Sequence, residues 1–289
     1  MSWAPGLNHT GEAQKRWLPE GERRFLIGLA RAFGGAVLFA LPLLMTVEMW
    51  SLGFYMDELR LALFMVVMLP VLGGLAYYAG FEESFNWQDV ALNSLVAYAV
   101  GFVAAAIVLA LLGVLEWGMS AKEIIGKIAL QAVPGSIGAM LARSQLGERE
   151  EEAEEERRRE TYAGELFLAA VGALFFAFNV APTEEIVLIA QMMTGWHALA
   201  LIGASLLLMH GFVYAVEFRG RTTPPPGVSF WSEFLRLTVV AYALALLVCL
   251  YVLWTFGRAD GLAAGELLMQ VVVLGFPAAL GAAAARLIL

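Results

Sequence analysis

Residues 35–142 recur as residues 172–285, so one half of the chain is a diverged copy of the other. A copy of this kind confines the chain to architectures assembled from two like units. At an offset of 137, Gly35, Ala36, Phe39, Ala40, Thr46 and Glu48 fall on Gly172, Ala173, Phe176, Ala177, Thr183 and Glu185. Gly74, Tyr77 and Phe81 meet Gly211, Tyr214 and Phe218 in the same way, after which a seven-residue insertion around residues 222–227 moves the offset to 144. Trp87 and residues 96–99 then meet Trp231 and residues 240–243. At 143, Pro134, Gly138, Ala139, Ala142 and Arg143 meet Pro277, Gly281, Ala282, Ala285 and Arg286.

What the units are made of follows from composition. Apolar residues are 60% of the chain, charged ones 15%, and mean hydropathy is +0.73, against roughly 45–50% apolar usage in soluble domains. Long apolar runs lie at about 25–50, 59–80, 90–116, 124–142, 162–181, 197–218, 232–256 and 263–289. Each can cross a ~30 Å hydrocarbon layer as a helix. The expectation is an all-α polytopic membrane protein with eight transmembrane helices. The first run is longer than a signal-peptide core and lacks a small-residue cleavage site after it, so it is expected to stay in the mature protein. Cys249 is the only cysteine, which excludes an intrachain disulfide and a multi-thiolate metal site.

Loops rich in Lys and Arg stay cytoplasmic. A cytoplasmic N-terminus keeps Lys15, Arg16, Arg23, Arg24, Arg143, Arg149, Arg219, Arg221, Arg286 and the Arg157–Arg159 run inside, leaving only Arg60, Lys122, Lys127 and Arg258 outside or near it. With four helices per repeat, both termini are cytoplasmic and the repeats are parallel, so their pseudo-twofold axis should run along the membrane normal and a pathway on it is geometrically natural. The expected units are a cytoplasmic tail (1–24), a first four-helix repeat (25–146), a charged cytoplasmic linker (147–160) and a second repeat (161–289). The linker's Glu154–Arg158 and Glu155–Arg159 pairs have helix-supporting spacing. A net charge of −8 argues against nucleic acid as a partner.

Thr46 and Glu48, with their copies Thr183 and Glu185, are the repeated positions with ion chemistry, each pair at the outer end of the first helix of its repeat. A carboxylate held in a membrane segment is costly and marks function by default. Asn179, Pro182, Thr183, Glu184 and Glu185 read as the end of one helix and the start of another, since Pro and acids suit a first helical turn. Freed carbonyls with Asn179, Thr183 and Glu oxygens would suit a hard cation. The first copy has Pro42 where the second has Asn179, which places its kink one turn earlier. His210 and Glu217, seven residues apart on one helix face, form a candidate proton relay; hydrogen bonding between helices is the plainer role for His210. The small residues around Gly138 and Gly281 predict close packing of the fourth and eighth helices, on each other or on a second subunit. Trp87 and Trp231 read as interfacial anchors.

The Thr-Glu break resembles the carboxylate-bearing helix breaks of the cation/calcium exchanger family over about seven residues. That family has inverted repeats, and the parallel halves here depart from it. Over its length the chain resembles an uncharacterised bacterial integral membrane protein family known as a domain of unknown function, which implies a membrane location, expected to be the bacterial cytoplasmic membrane. No nucleotide, hydrolase or zinc-protease motif occurs, so neither an enzyme nor a cofactor is expected, and the sequence assigns no metal. The expectation is passage of a small inorganic cation through the bilayer, channel-like with Glu48 and Glu185 at an acidic extracellular entrance and a homodimer favoured. A cation-coupled carrier and a non-transporting scaffold or lipid-binding protein are the alternatives.

Overall fold

The computed structural model describes residues 20–78, 87–145, 161–217, 231 and 234–288. Every regular element among them is helical, as lipid requires of a backbone that must satisfy its own hydrogen bonds. The first half holds α1 (Glu20–Leu44), α2 (Val47–Tyr55), α3 (Glu58–Tyr78), α4 (Trp87–Leu111) and α5 (Ala121–Gln145). The second holds α6 (Tyr162–Val180), α7 (Glu185–Met192), α8 (Gly195–Glu217), a π-helical segment (Phe234–Val239) running into α9 (Val240–Thr255), and α10 (Ala264–Ile288). Eight helical stretches are long and apolar enough to span a membrane. The short helices α2 and α7 are additions to the expected eight, each following the first span of its half. The charged linker and the insertion around residues 222–227 lie outside the described residues.

Residues 25–50 are therefore not one span. Pro42 sits inside α1, and the helix ends two residues later because Thr46 takes an extended conformation, φ −102° and ψ 117°. Leu44 and Ala181, the cap of α6, are counterparts at the offset of 137. The breaks thus fall at equivalent positions, and the earlier kink expected from Pro42 does not displace the first one.

Within the first half α1 packs most extensively on α5, and within the second α6 packs most extensively on α10. A Cβ added to Gly35 would collide with the Gly138 carbonyl, and one on Gly172 with the Gly281 carbonyl. Within the chain, each of the fourth and eighth spans thus packs most extensively on the first span of its own half, not on the other. Small residues bring backbones together only where both surfaces are small, and Gly35 and Gly172 supply the second surface. The α5 helix is the most enclosed span, since Gly101 of α4 and Gly53 of α2 also meet its backbone.

One continuous apolar core joins the halves. Rings fill the seam where the symmetry placed a pathway. Phe39 meets Phe175 edge-on at 5.0 Å, Phe64 meets Phe178 at 5.1 Å and Phe256 at 6.2 Å, and Tyr78 stacks on Phe167 at 5.1 Å. Edge-to-face packing satisfies the ring quadrupoles, so aromatic side chains, not polar ones, make these contacts between the halves.

Candidate functional site at the helix breaks

Because the spans alternate in direction, both breaks and the turns before α5 and α10 gather at the bundle end remote from the termini. Ion pairs tie these segments together. Lys122 Nζ lies 2.6 Å from Glu58 Oε1, Lys127 Nζ 2.8 Å from Glu123 Oε1, and Arg258 Nη1 2.8 Å from Glu184 Oε1. Arg60 donates twice to Asp260 at 2.9 Å, donates to the Trp254 carbonyl at 3.0 Å, and lies over the Trp254 ring at 5.1 Å. Every basic residue that the sequence left at this end is thereby paired with an acid. Tyr55, Asp57, Arg60, Trp254 and Asp260 border an open cleft of about 510 Å³ between the halves.

At the first break, Thr46 N–H donates to the Leu43 carbonyl at 3.0 Å and the Thr46 hydroxyl donates to the Pro42 carbonyl at 2.6 Å. Gln131 Nε2 adds a bond to the Leu43 carbonyl at 3.1 Å, and Trp50 Nε1 donates to that of Leu44 at 2.8 Å. The carbonyls that a helix end leaves open are here closed by the protein itself. Glu48 sits half-buried in the first turn of α2, where the helix dipole favours a carboxylate.

The second break has the same outline. Thr183 donates its hydroxyl to the Val180 carbonyl at 2.8 Å, and Asn179 Nδ2 donates to that of Phe175 at 2.7 Å. Asn179 Oδ1 is buried and meets no donor. Arg258 bonds the Pro182 carbonyl as well as Glu184, so Glu184 is already neutralised. Glu185 is exposed in the first turn of α7. Its own backbone N–H, one of the open donors of a helix start, holds its carboxyl below the ordinary glutamate range.

Glu48 and Glu185 are thus placed alike and apart. Each opens a separate short helix, α2 packed on α5 and α7 packed on α10. Among the described residues no group of three or more His, Cys, Asp or Glu is arranged to hold a metal ion. His210 lies deep in α8, about 22 Å along the helix from its outer end, with Nδ1 3.0 Å from Thr238 Oγ1. The Glu217 side chain lies outside the described residues, so the relay's second member is not placed.

Sequence reasoning passed over the Arg60–Asp260 clasp, the Glu123–Lys127 pair and Gln270, which is 4% exposed. One signal was available. An offset of 143, already needed for Pro134 and Pro277, aligns Glu123 with Glu266 and Lys127 with Gln270.

No curated protein matches the chain, and no solved structure does. Residues 28–289 match the family described as "Putative integral membrane protein (DUF2391)", and the chain belongs to that family.

Proposed function

We propose that this protein carries a small cation across the membrane, admitting it at the break-bearing end. The observation behind this reading is a charge surplus. Once Arg60, Lys122, Lys127 and Arg258 are paired, Glu48, Glu116, Glu185 and Glu266 have no basic partner among the described residues. A surface of one sign concentrates counter-ions, and acidic rims favour cations. The Lys and Arg distribution puts this end outside and both termini in the cytoplasm. The two halves are read as parallel four-helix repeats, here in the bacterial cytoplasmic membrane.

A carrier accounts for the seam better than a pore within one chain. Rings from Phe39 to Phe256 pack across it, and the Arg60–Asp260 clasp bridges the halves, as expected of one closed state of two rocking units. A channel would need its pore between two copies. The ring-packed seam equally suits a membrane scaffold that transports nothing, which is the second reading.

Flux into proteoliposomes separates the three. A carrier shows saturable Na⁺, K⁺, Ca²⁺ or H⁺ flux with counterflow, slowed in the double change Glu48→Gln, Glu185→Gln. Flux without counterflow supports the channel, and no flux of any cation supports the scaffold.

A further inference from the structure

The halves meet head to tail. Two like units joined about a twofold axis bury the same patch on both, residue i against j and j against i. Here the first half brings α3 to the seam, through Phe64 and Gly74, and the second brings α6 and the end of α9, through Phe167, Phe178 and Phe256. The counterparts of these residues are not used. At the offset of 137, Phe175 and Phe178 fall on Leu38 and Leu41, which are 72% and 41% exposed, and at 144 Phe256 falls on Leu112, 46% exposed. A Cβ on Gly74 would strike the Phe167 ring, whereas one on its copy Gly211 in α8 meets nothing. While α3 reaches α6 and α9, α8 packs chiefly on α10 of its own half. Exposed leucine is ordinary where a span faces lipid; these positions stand out because each is the copy of a seam residue. The chain thus carries the two faces of its seam a second time, on α8 and on α1 with the end of α4.

The polar clasp across the seam is duplicated as well. Gly113 and Gly257, matched at 144, have positive φ values of 71° and 73°, so the loops after them begin alike. Three residues on, Asp260 falls on Glu116, while Arg60, the third residue of α3, falls on His197, the third residue of α8. Arg60 and Asp260 are bonded within the chain. Their copies are both exposed. His197 accepts the Thr194 N–H at Nδ1, 3.2 Å away, which puts the proton of the neutral ring on Nε2 as a donor suited to a carboxylate.

We propose that a second copy of this chain docks head to tail in the membrane, α8 of one copy against α1 and the end of α4 of the other, with His197 donating to Glu116 across the contact. A contact between unlike faces can be repeated by every further copy, and here the first instance of it is built into the chain. The docking surface goes beyond the transport reading and does not need it, since a chain that moves no cation can assemble in the same way.

Cross-linking in membranes tests the contact. Cys249 is fully buried, so introduced thiols react alone. Leu112→Cys with Leu201→Cys, the copies of Phe256 and Phe64 whose rings lie 6.2 Å apart, should convert most of the protein to disulfide-linked copies on oxidation with copper phenanthroline. Leu112→Cys with Leu199→Cys, exposed two residues away on α8, should not. Energy transfer between labelled copies in proteoliposomes gives a second reading that leaves the apolar faces intact. Glu116→Arg should weaken association about tenfold, the loss of one hydrogen bond, and adding His197→Glu should restore it. Single copies in lipid, equal cross-linking of the two cysteine pairs, or association of Glu116→Arg at the wild-type level would each overturn the docking surface.

Discussion

At the first break, Gln131 and Trp50 donate to the carbonyls of Leu43 and Leu44, and a tethered ammonium, Lys127, lies level with it. At the second, a loop arginine holds the Pro182 carbonyl and Glu184, and Asn179 bonds the Phe175 carbonyl of its own helix. The backbone event is shared, with a first span that stops, a Thr in the turn and a Glu opening a short helix. What closes it is not shared. The repeated Thr and Glu therefore accompany the break, and the positions that diverged decide which groups close it.

The largest effect should come from the unequal pair Glu123 and Glu266. Glu123→Gln strands the Lys127 ammonium, whose side chain is only 9% exposed, and removing one member of a buried pair costs about 3 kcal/mol or more. Glu266 is exposed and accepts the Ala263 N–H at 3.0 Å as a helix cap, so Glu266→Gln should cost below ~1 kcal/mol. Chemical unfolding of the two variants measures the gap. Equal losses would mean that the halves do not differ here in the way described.

Next come the contacts the halves share. Gly138→Leu and Gly281→Leu each push a side chain into the facing helix, against Phe39 and the Gly35 carbonyl or against Phe176 and the Gly172 carbonyl. Overpacking of this kind costs roughly 1–3 kcal/mol, and both variants should lose similar Tm and monodispersity. Tolerance at one and failure at the other would break the equivalence of the two helix pairs.

Thr46→Val and Thr183→Val should act less strongly. Each hydroxyl is already spent on a carbonyl of its own turn, a bond worth about 1 kcal/mol or less. Cation flux in these variants is expected to match the wild type. A large loss of flux with unchanged Tm would return the threonines to the ion site.

The spans were legible because length and hydropathy decide them, and the second break was legible through Pro182 and the acids that follow it. The splitting of residues 25–50 was not legible, since Val47 to Tyr55 is as apolar as the span before it and only the extended Thr46 divides them. The partners that these helices take within the chain were not legible for a related reason. Gly138 announces a close contact but not with whom, and its partner Gly35 lies 103 residues earlier in the chain. The paired charges escaped because the residues of Arg60–Asp260 and Arg258–Glu184 are distant in sequence, whereas Glu123 and Lys127 are four apart and could have been found.

The smallest effect concerns the clasp that joins the halves, and pH exposes it. The hydrogen bonds from Arg60 hold the Asp260 carboxyl below its ordinary range. A carboxylate with a lowered folded-state pKa adds stability that is fully present above its unfolded value, near 3.9, and lost as pH falls through the lower folded value. The pair is exposed, with the Asp260 side chain 57% accessible, so solvent screens it and the contribution is modest. Asp260→Asn should therefore unfold slightly below the wild type at pH 6, and the two Tm values should converge as pH drops below about 4. Glu184→Gln removes the bond that Arg258 makes within the second half. If the clasp holds the halves together in the closed state, Asp260→Asn alone should also speed cation flux at pH 6, because of these two pairs it is the one that spans the seam; flux raised equally by Glu184→Gln would place the closing contact inside the second half.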